Sequence, residues 1–300
     1  MSEHLPAGDA ATEQRQLITG VNASLWPDMK IQRAAVHLSE LHGRFMQWES
    51  GKPYRTQSRL RPDRRTIDTY LRIHSVAPLD EWSLILGDFL HNLRSALDAI
   101  AWELATFNGA SPRKPKSVQF PIATDPSAWD IALTGWVGDL PSAFIERLSL
   151  LQPFRYAVAG KLSALEVLHA LDIQDKHKSA LEVGIGQEGI ELRGSFRLVD
   201  AAATLRPNWT PVQPLDLHDG ALVLTMAGQS DIYDDLSLYA PLVVPRLNIG
   251  IQGKAEMVSV PEMSETLLTE VRRYIEIIRV GFTEDEKWVP ADITDPQAAT

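Results

Sequence analysis

The 300-residue chain has no cysteine, which excludes disulfides, thiolate nucleophiles and cysteine-held zinc or iron–sulfur centres. It has no long apolar run either, and no window approaches the roughly 18 unbroken apolar residues of a spanning helix. The opening stretch, MSEHLPAGDAATEQRQ, lacks the basic segment and apolar core of an export signal. A soluble, unexported, cytoplasmic chain with no membrane partner is therefore expected. A basic excess is also missing. The formal net charge is −10, so any grip on nucleic acid has to come from a local patch of Lys and Arg.

The signatures of common chemistries are absent as well. No Walker loop, HExxH or GxSxG occurs. Gly184, Gly186 and Gly189 do spell GxGxxG, but the residues that follow, IELRGSFRLV, alternate as a strand where a dinucleotide site needs a helix N-terminus. Glu188 adds a negative charge where a phosphate would lie. A glycine-rich hairpin turn is the reading that fits, and neither a cofactor nor a metal ligand set is assigned.

What is present is 44% hydrophobic residues and 23% charged ones, enough apolar content for a sizeable core. Residues 1–24 read as a loose tail. Pro27 and Asp28 then open a helix carrying Ile31, Ala34, Leu38, Leu41, Phe45 and Trp48 at three- and four-residue spacing. His42 inside that arc and His37 at its margin are expected as packed core histidines. A β-hairpin follows, 54–60 with 66–76, turning at Pro62-Asp63. A long helix runs from about Leu79 to Phe107 and stops at Asn108-Gly109. Two short helices are expected at 127–134 and 141–151, then one across GKLSALEVLHALDIQDKHKS.

Beyond that point the period changes from helical to two. Ala180–Val183, Ile190–Val199, Ala221–Ala227 and Leu238–Ile251 read as antiparallel strands, closed by a helix at 262–281. Helices first and most strands later favour an α+β fold, a helical bundle with an N-terminal β-hairpin and a C-terminal antiparallel sheet closed by a helix. The domain reading is a mainly helical 25–179 with the hairpin at 54–76, a sheet-plus-helix segment at 180–282 that is separate from it or part of the same domain, and an acidic tail at 283–300.

Three groups of residues stand out. On the long helix, Phe89, Leu90, Leu93, Ala96, Leu97, Ile100 and Leu104 form the apolar face, while Asp88, His91, Arg94, Ser95 and Asp98 share the other side. Leu84 and Trp102 fall in that polar arc, so the stripe is expected to be covered by protein. On the later helix Glu166, His169, Asp172, Lys176 and His177 share one arc. If the two stripes meet, His91, Arg94, Asp98, His169, Asp172 and His177 make a candidate catalytic set: imidazole moves protons and guanidinium stabilises charge in phosphodiester cleavage. The same side chains can equally form a buried network that locks two helices. The third group is the hairpin. From Arg44 to Arg72 eight basic residues stand against three acidic ones, a local +5. Arg55, Arg59, Arg64, Arg65, Tyr70 and Arg72 are the candidate nucleic-acid-binding residues there, with edge strands kept soluble by charge as the alternative.

The blocks GDFLHNLRSALD, LQPF and DKHK together resemble a family of uncharacterised bacterial proteins, frequent in actinobacteria, over roughly residues 80–180. In that family the first block continues LRSALDH. Its arginine–histidine spacing resembles the RxxxxH motif of the HEPN superfamily, helical proteins many of which are metal-independent ribonucleases of toxin and phage-defence systems. The resemblance implies a HEPN-like helical portion, RNA or a nucleotide-bearing ligand as partner, and a homodimer that completes the site. Arg94 takes the arginine position, but Ala99 takes the histidine position and can neither accept nor donate a proton. A non-enzymatic interaction or structural protein is the alternative function, and a metal-dependent hydrolase the third.

Overall fold

Three- and four-residue apolar spacing becomes α-helix in this chain, and alternation becomes strand, in the order the pattern dictates. The computed structural model describes residues 25–156, 162–177, 180–193, 195, 198–200, 205–206, 217–233, 236, 239–251 and 257–281. Both expected tails lie outside them. In chain order the elements are α1 (Trp26–Ser50), β1 (Tyr54–Leu60), β2 (Thr66–Ile73), α2 (Leu79–Ala105), α3 (Pro126–Leu133), α4 (Ser142–Leu150), α5 (Ala164–His177), β3 (Val183–Glu191), β4 (Leu205–Arg206), β5 (Leu222–Gly228), β6 (Leu242–Gly250), β7 (Met257–Ser259) and α6 (Val260–Val280). The fold is α+β. Among the described residues no helix is long and apolar enough to cross a membrane.

The chain divides into two compact units, Met1–Glu40 with Leu84–Leu181 and Pro261–Thr300, and Leu41–Ser83 with Glu182–Val260. In the first, α2 supplies the core: Phe89, Leu90, Leu93, Ala96, Leu97, Ile100 and Leu104 are all buried, as the helical wheel requires. Gln152, fully buried, accepts from the Ala123 N–H at 2.8 Å and donates to the Leu148 carbonyl at 2.8 Å, so it pins the extended stretch before α3 onto the end of α4. Asp125 caps α3 by accepting from the Ala128 N–H, with Pro126 in the first turn.

In the second unit the hairpin joins a sheet of order β1-β2-β5-β4, and a second sheet has order β3-β6-β7. The hairpin, grouped with the helices on chain order, is thus hydrogen-bonded along β2 to β5. Asp63 closes its turn, accepting from the N–H groups of Arg65 and Thr66 and from the Thr66 hydroxyl, while Arg64 takes φ 60°. At its base Trp82 packs edge-on against Trp48 at 5.7 Å and Phe45 at 5.8 Å, and Trp48 in turn meets Tyr54 at 5.9 Å. Burial, with Glu49 close by, pushes the Tyr54 phenol up to about 12.

Several expectations are corrected. The glycines of GxGxxG lie inside β3, paired with β6, and no hairpin turn forms there. A bulge between Gln187 and Gly189 absorbs the irregularity, and glycine tolerates it without a Cβ to clash. A single strand that begins at Val183 and ends at Glu191 takes the place of the one expected at 180–183 and of the start of the one expected at 190–199; of the latter, residues 194, 196 and 197 lie outside the described residues, and Leu198 makes an isolated antiparallel bridge with Ile232. Two short strands, β4 and β7, carried too few residues to show a period. His37 is buried as expected, but His42 is exposed. Leu84 and Trp102 are 69% and 45% exposed, so protein covers the polar stripe of α2 at its middle and not at its ends.

Because Trp82 is 1% exposed and meets two other indole or phenyl rings, Trp82→Ala is expected to cost about 3–5 kcal/mol, read as a lowered unfolding midpoint in urea.

Candidate functional site

The two polar stripes converge. On α2, Arg94 is 7% exposed, and its Nη2 donates to the Phe120 carbonyl at 2.9 Å while lying 3.0 Å from Asp98 Oδ1. Asp98 Oδ1 also accepts from the Phe120 N–H at 2.8 Å. The i,i+4 pair therefore holds both backbone polar groups of one buried residue, Phe120, in an extended segment outside the two described sheets. Arg94 Nη1 is buried without a hydrogen-bond partner.

One turn earlier, His91 faces α5. Its Nδ1 lies 3.8 Å from Asp172 Oδ1, and its Nε2 is 3.5 Å from the Ser95 hydroxyl. The Asp172 side chain is 8% exposed and is also bound by Lys176 Nζ at 2.9 Å. A buried carboxylate needs such partners. His169, on the same face of α5, is half-buried; burial lowers its imidazole below the ordinary value and the nearby Arg94 charge adds to this, against the opposing pull of Asp172. His169 is therefore biased toward the neutral form, a proton acceptor.

Asp175 presses its carboxylate against the α2 backbone at Gly87, where an added Cβ would meet both carboxylate oxygens at 2.8 Å. Burial raises its pKa, Asp172 and Asp88 raise it further, and His91 and Lys176 oppose the shift. Asp175 was visible in the sequence only as part of a helix end rich in charge; its i,i+3 spacing from Asp172 is the signal that puts it on the same face. Glu166, placed in the α5 arc by the wheel, is taken up by the helix start: it accepts from the Ser163 N–H and hydroxyl in a capping box. His177 ends α5, and its side chain lies outside the described residues. Among the described residues no group of three or more His, Asp and Glu side chains is arranged to hold a metal ion.

The hairpin residues belong to the other unit. Alternation on β1 turns Arg55, Gln57 and Arg59 outward, and the register places Arg72, Tyr70 and Asp68 directly across from them on β2. Arg72 donates to Gln57 Oε1 at 3.0 Å, and the Arg59 guanidinium lies 5.9 Å from the centre of the Tyr70 ring. Asp68 is buried, which works to raise its pKa; a bidentate bond from Arg61 and the Thr225 hydroxyl outweigh this and hold it below the ordinary carboxyl range. Arg65 is turned away to Asp231 at 2.9 Å, and Arg64 sits at the hairpin turn. Four of the six candidate residues, Arg55, Arg59, Tyr70 and Arg72, thus share one face.

Two outcomes follow for the helical stripe. Arg94→Ala leaves the Phe120 carbonyl and Asp98 without their cation and is expected to destabilise the fold by about 3 kcal/mol, measured by thermal melting. Asp175→Asn acts in the opposite sense at neutral pH. A raised folded-state pKa contributes stability that is present below the unfolded value and lost as pH rises through the folded one. The variant should therefore melt higher than the parent at pH 7, with the gap closing toward pH 4.

No protein-family model, no curated protein and no solved structure matches this chain.

Proposed function

We propose that the chain binds RNA, or another nucleotide-bearing ligand, on the outer face of β1 and β2. One observation carries this reading: Arg55 and Arg72 stand directly opposite each other across two antiparallel strands. Like charges in that position destabilise a sheet. Arg72 has Gln57 at 3.0 Å and Asp219 only at 4.0 Å, while Arg55 has no carboxylate partner among the described residues. A bound phosphate would relieve the repulsion.

The rest of the face suits the same ligand. Arg59 adds a further cation, Tyr70 a ring and Gln57 an amide, the groups that hold phosphates, stack on bases and read their edges. Arg55 and Arg59 are four residues apart on one strand, about 13 Å, close to four steps of a stacked strand at about 3.4 Å each. The resemblance to HEPN proteins points to the same ligand class, and the absence of cysteine and of an export signal fits a meeting in the cytoplasm. Phosphodiester cleavage is not part of the proposal, because Arg94, which would have to face the developing charge, is enclosed on Phe120, and position 99 is alanine.

For the polar stripe of α2 the network reading is favoured by the double hold of Arg94 and Asp98 on Phe120.

The test is fluorescence anisotropy with a labelled single-stranded RNA across a salt series. Arg55→Ala/Arg59→Ala should weaken binding and flatten the log–log salt slope by about 1.4, the loss of two phosphate contacts on a single strand. Parent-like affinity and slope in a double variant that melts like the parent would overturn the reading.

A further inference from the structure

The outward part of the α2–α5 cluster is not used by the clamp on Phe120 or by the sheet face. We infer that Ser95, His91 and Asp172 form a nucleophile–base–carboxylate relay that transfers acyl groups from small activated esters to water. The atoms are in the order such a relay requires. The Ser95 hydroxyl is 3.5 Å from His91 Nε2, and the other ring nitrogen, Nδ1, is 3.8 Å from Asp172 Oδ1. These separations are longer than those of an engaged site, as is common before substrate binds. A relay of this kind is defined by geometry and role, not by chain order or motif.

The surroundings differ along the relay in the sense its parts need. Asp172 is buried, with a side chain 8% exposed, and Lys176 binds both of its oxygens, so the carboxylate that orients the imidazole is fixed. His91 has half its side chain open to solvent, and Ser95 is partly exposed, so both substrate and water reach the nucleophile. The helix supplies the Ser95–His91 spacing, since residues four apart are neighbours on its surface. Tertiary packing supplies Asp172 from α5.

The steps balance without a cofactor. The Ser95 oxygen attacks the ester carbonyl carbon while its proton passes to His91 Nε2; the bond to the leaving oxygen breaks, and that oxygen takes the proton from His91. Water then attacks the acyl–Ser95 ester, giving its proton to His91, which returns it to the Ser95 oxygen as the carboxylic acid leaves. The substrate class follows from the position of Ser95 inside α2. Backbone N–H groups in a helix interior are spent on the helix itself, so no backbone pair is free to hold an oxyanion. The carbonyl must therefore be activated by its own leaving group, as in aryl esters.

The experiment uses the full chain with a fluorophosphonate probe, followed by peptide mass spectrometry, and p-nitrophenyl acetate as substrate. Labelling should map to Ser95 and vanish in His91→Gln, and ester turnover should fall about a hundredfold in Ser95→Ala. Alanine favours the helix more than serine, so that variant folds. Because the chain has no cysteine, Ser95→Cys gives a single thiol, and its alkylation by iodoacetamide reads the activation by His91 directly: S95C should react roughly tenfold or more faster than S95C/H91Q. No label at Ser95, a label that persists in His91→Gln, or equal alkylation of the two cysteine variants would each overturn the proposal.

Discussion

A guanidinium enclosed by protein has to be paired, and in this chain the pairing of Arg94 sets the middle of the longest helix in place. Its Nη2 lies between Asp98 and the Phe120 carbonyl, and Asp98 takes the Phe120 N–H in return. An isolated buried charge would cost several kcal/mol, and removing either partner would expose that cost. The consequence reaches past the pair. With the extended segment held against α2 at Phe120, the helix keeps two differently used sides, an apolar face in the core and a polar side whose middle is enclosed and whose flank faces α5.

That division explains why residues so alike in chemistry come to differ in use. Arg94 and Asp98 have little freedom, since each is committed to backbone. His91 and Ser95, a turn away or adjacent in sequence, lie at longer distances from each other, and His91 from Asp172, and they remain partly open to water. Across the helix contact, Asp172 and Asp175 face Asp88, His91 and Lys176. Carboxylates gathered this closely raise one another's pKa unless a cation stands between them. Lys176 binds Asp172 directly; Asp175, with its side chain against Gly87, has its pKa raised by burial first and by Asp172 and Asp88 next.

The second unit applies the same rule to a sheet. Asp68 is buried and ionised because Arg61 and Thr225 bind it, and Arg65 is balanced by Asp231. These pairs remove much of the local positive charge that the hairpin shows as a string of residues. The charge left over lies along one face, where Arg55, Arg59 and Arg72 surround Tyr70. Which hairpin arginines are paired off is thus decided by partners as distant as residue 231.

Much of the fold was legible in the sequence. The six α-helices among the described residues, the hairpin with its Asp63 turn and the core face of α2 follow from spacing that the chain carries locally, since a helix is decided by residues three and four apart and a strand by alternation. The two polar stripes were legible for the same reason. Their meeting was not, because His91 and Asp172 are 81 positions apart and only packing brings them to 3.8 Å. Nor was the commitment of Arg94 to Phe120, or of Glu166 to the Ser163 cap, because a wheel shows which side a residue takes and not what stands there. The glycines of β3 misled for a related reason: glycine permits a turn or a bulged strand, and the choice fell to β6, whose backbone groups needed partners. The sequence by itself determined which elements form and which of their sides are polar; the tertiary structure alone decided which polar groups meet, because hydrogen bonds and ion pairs depend on distances across elements that no local period encodes.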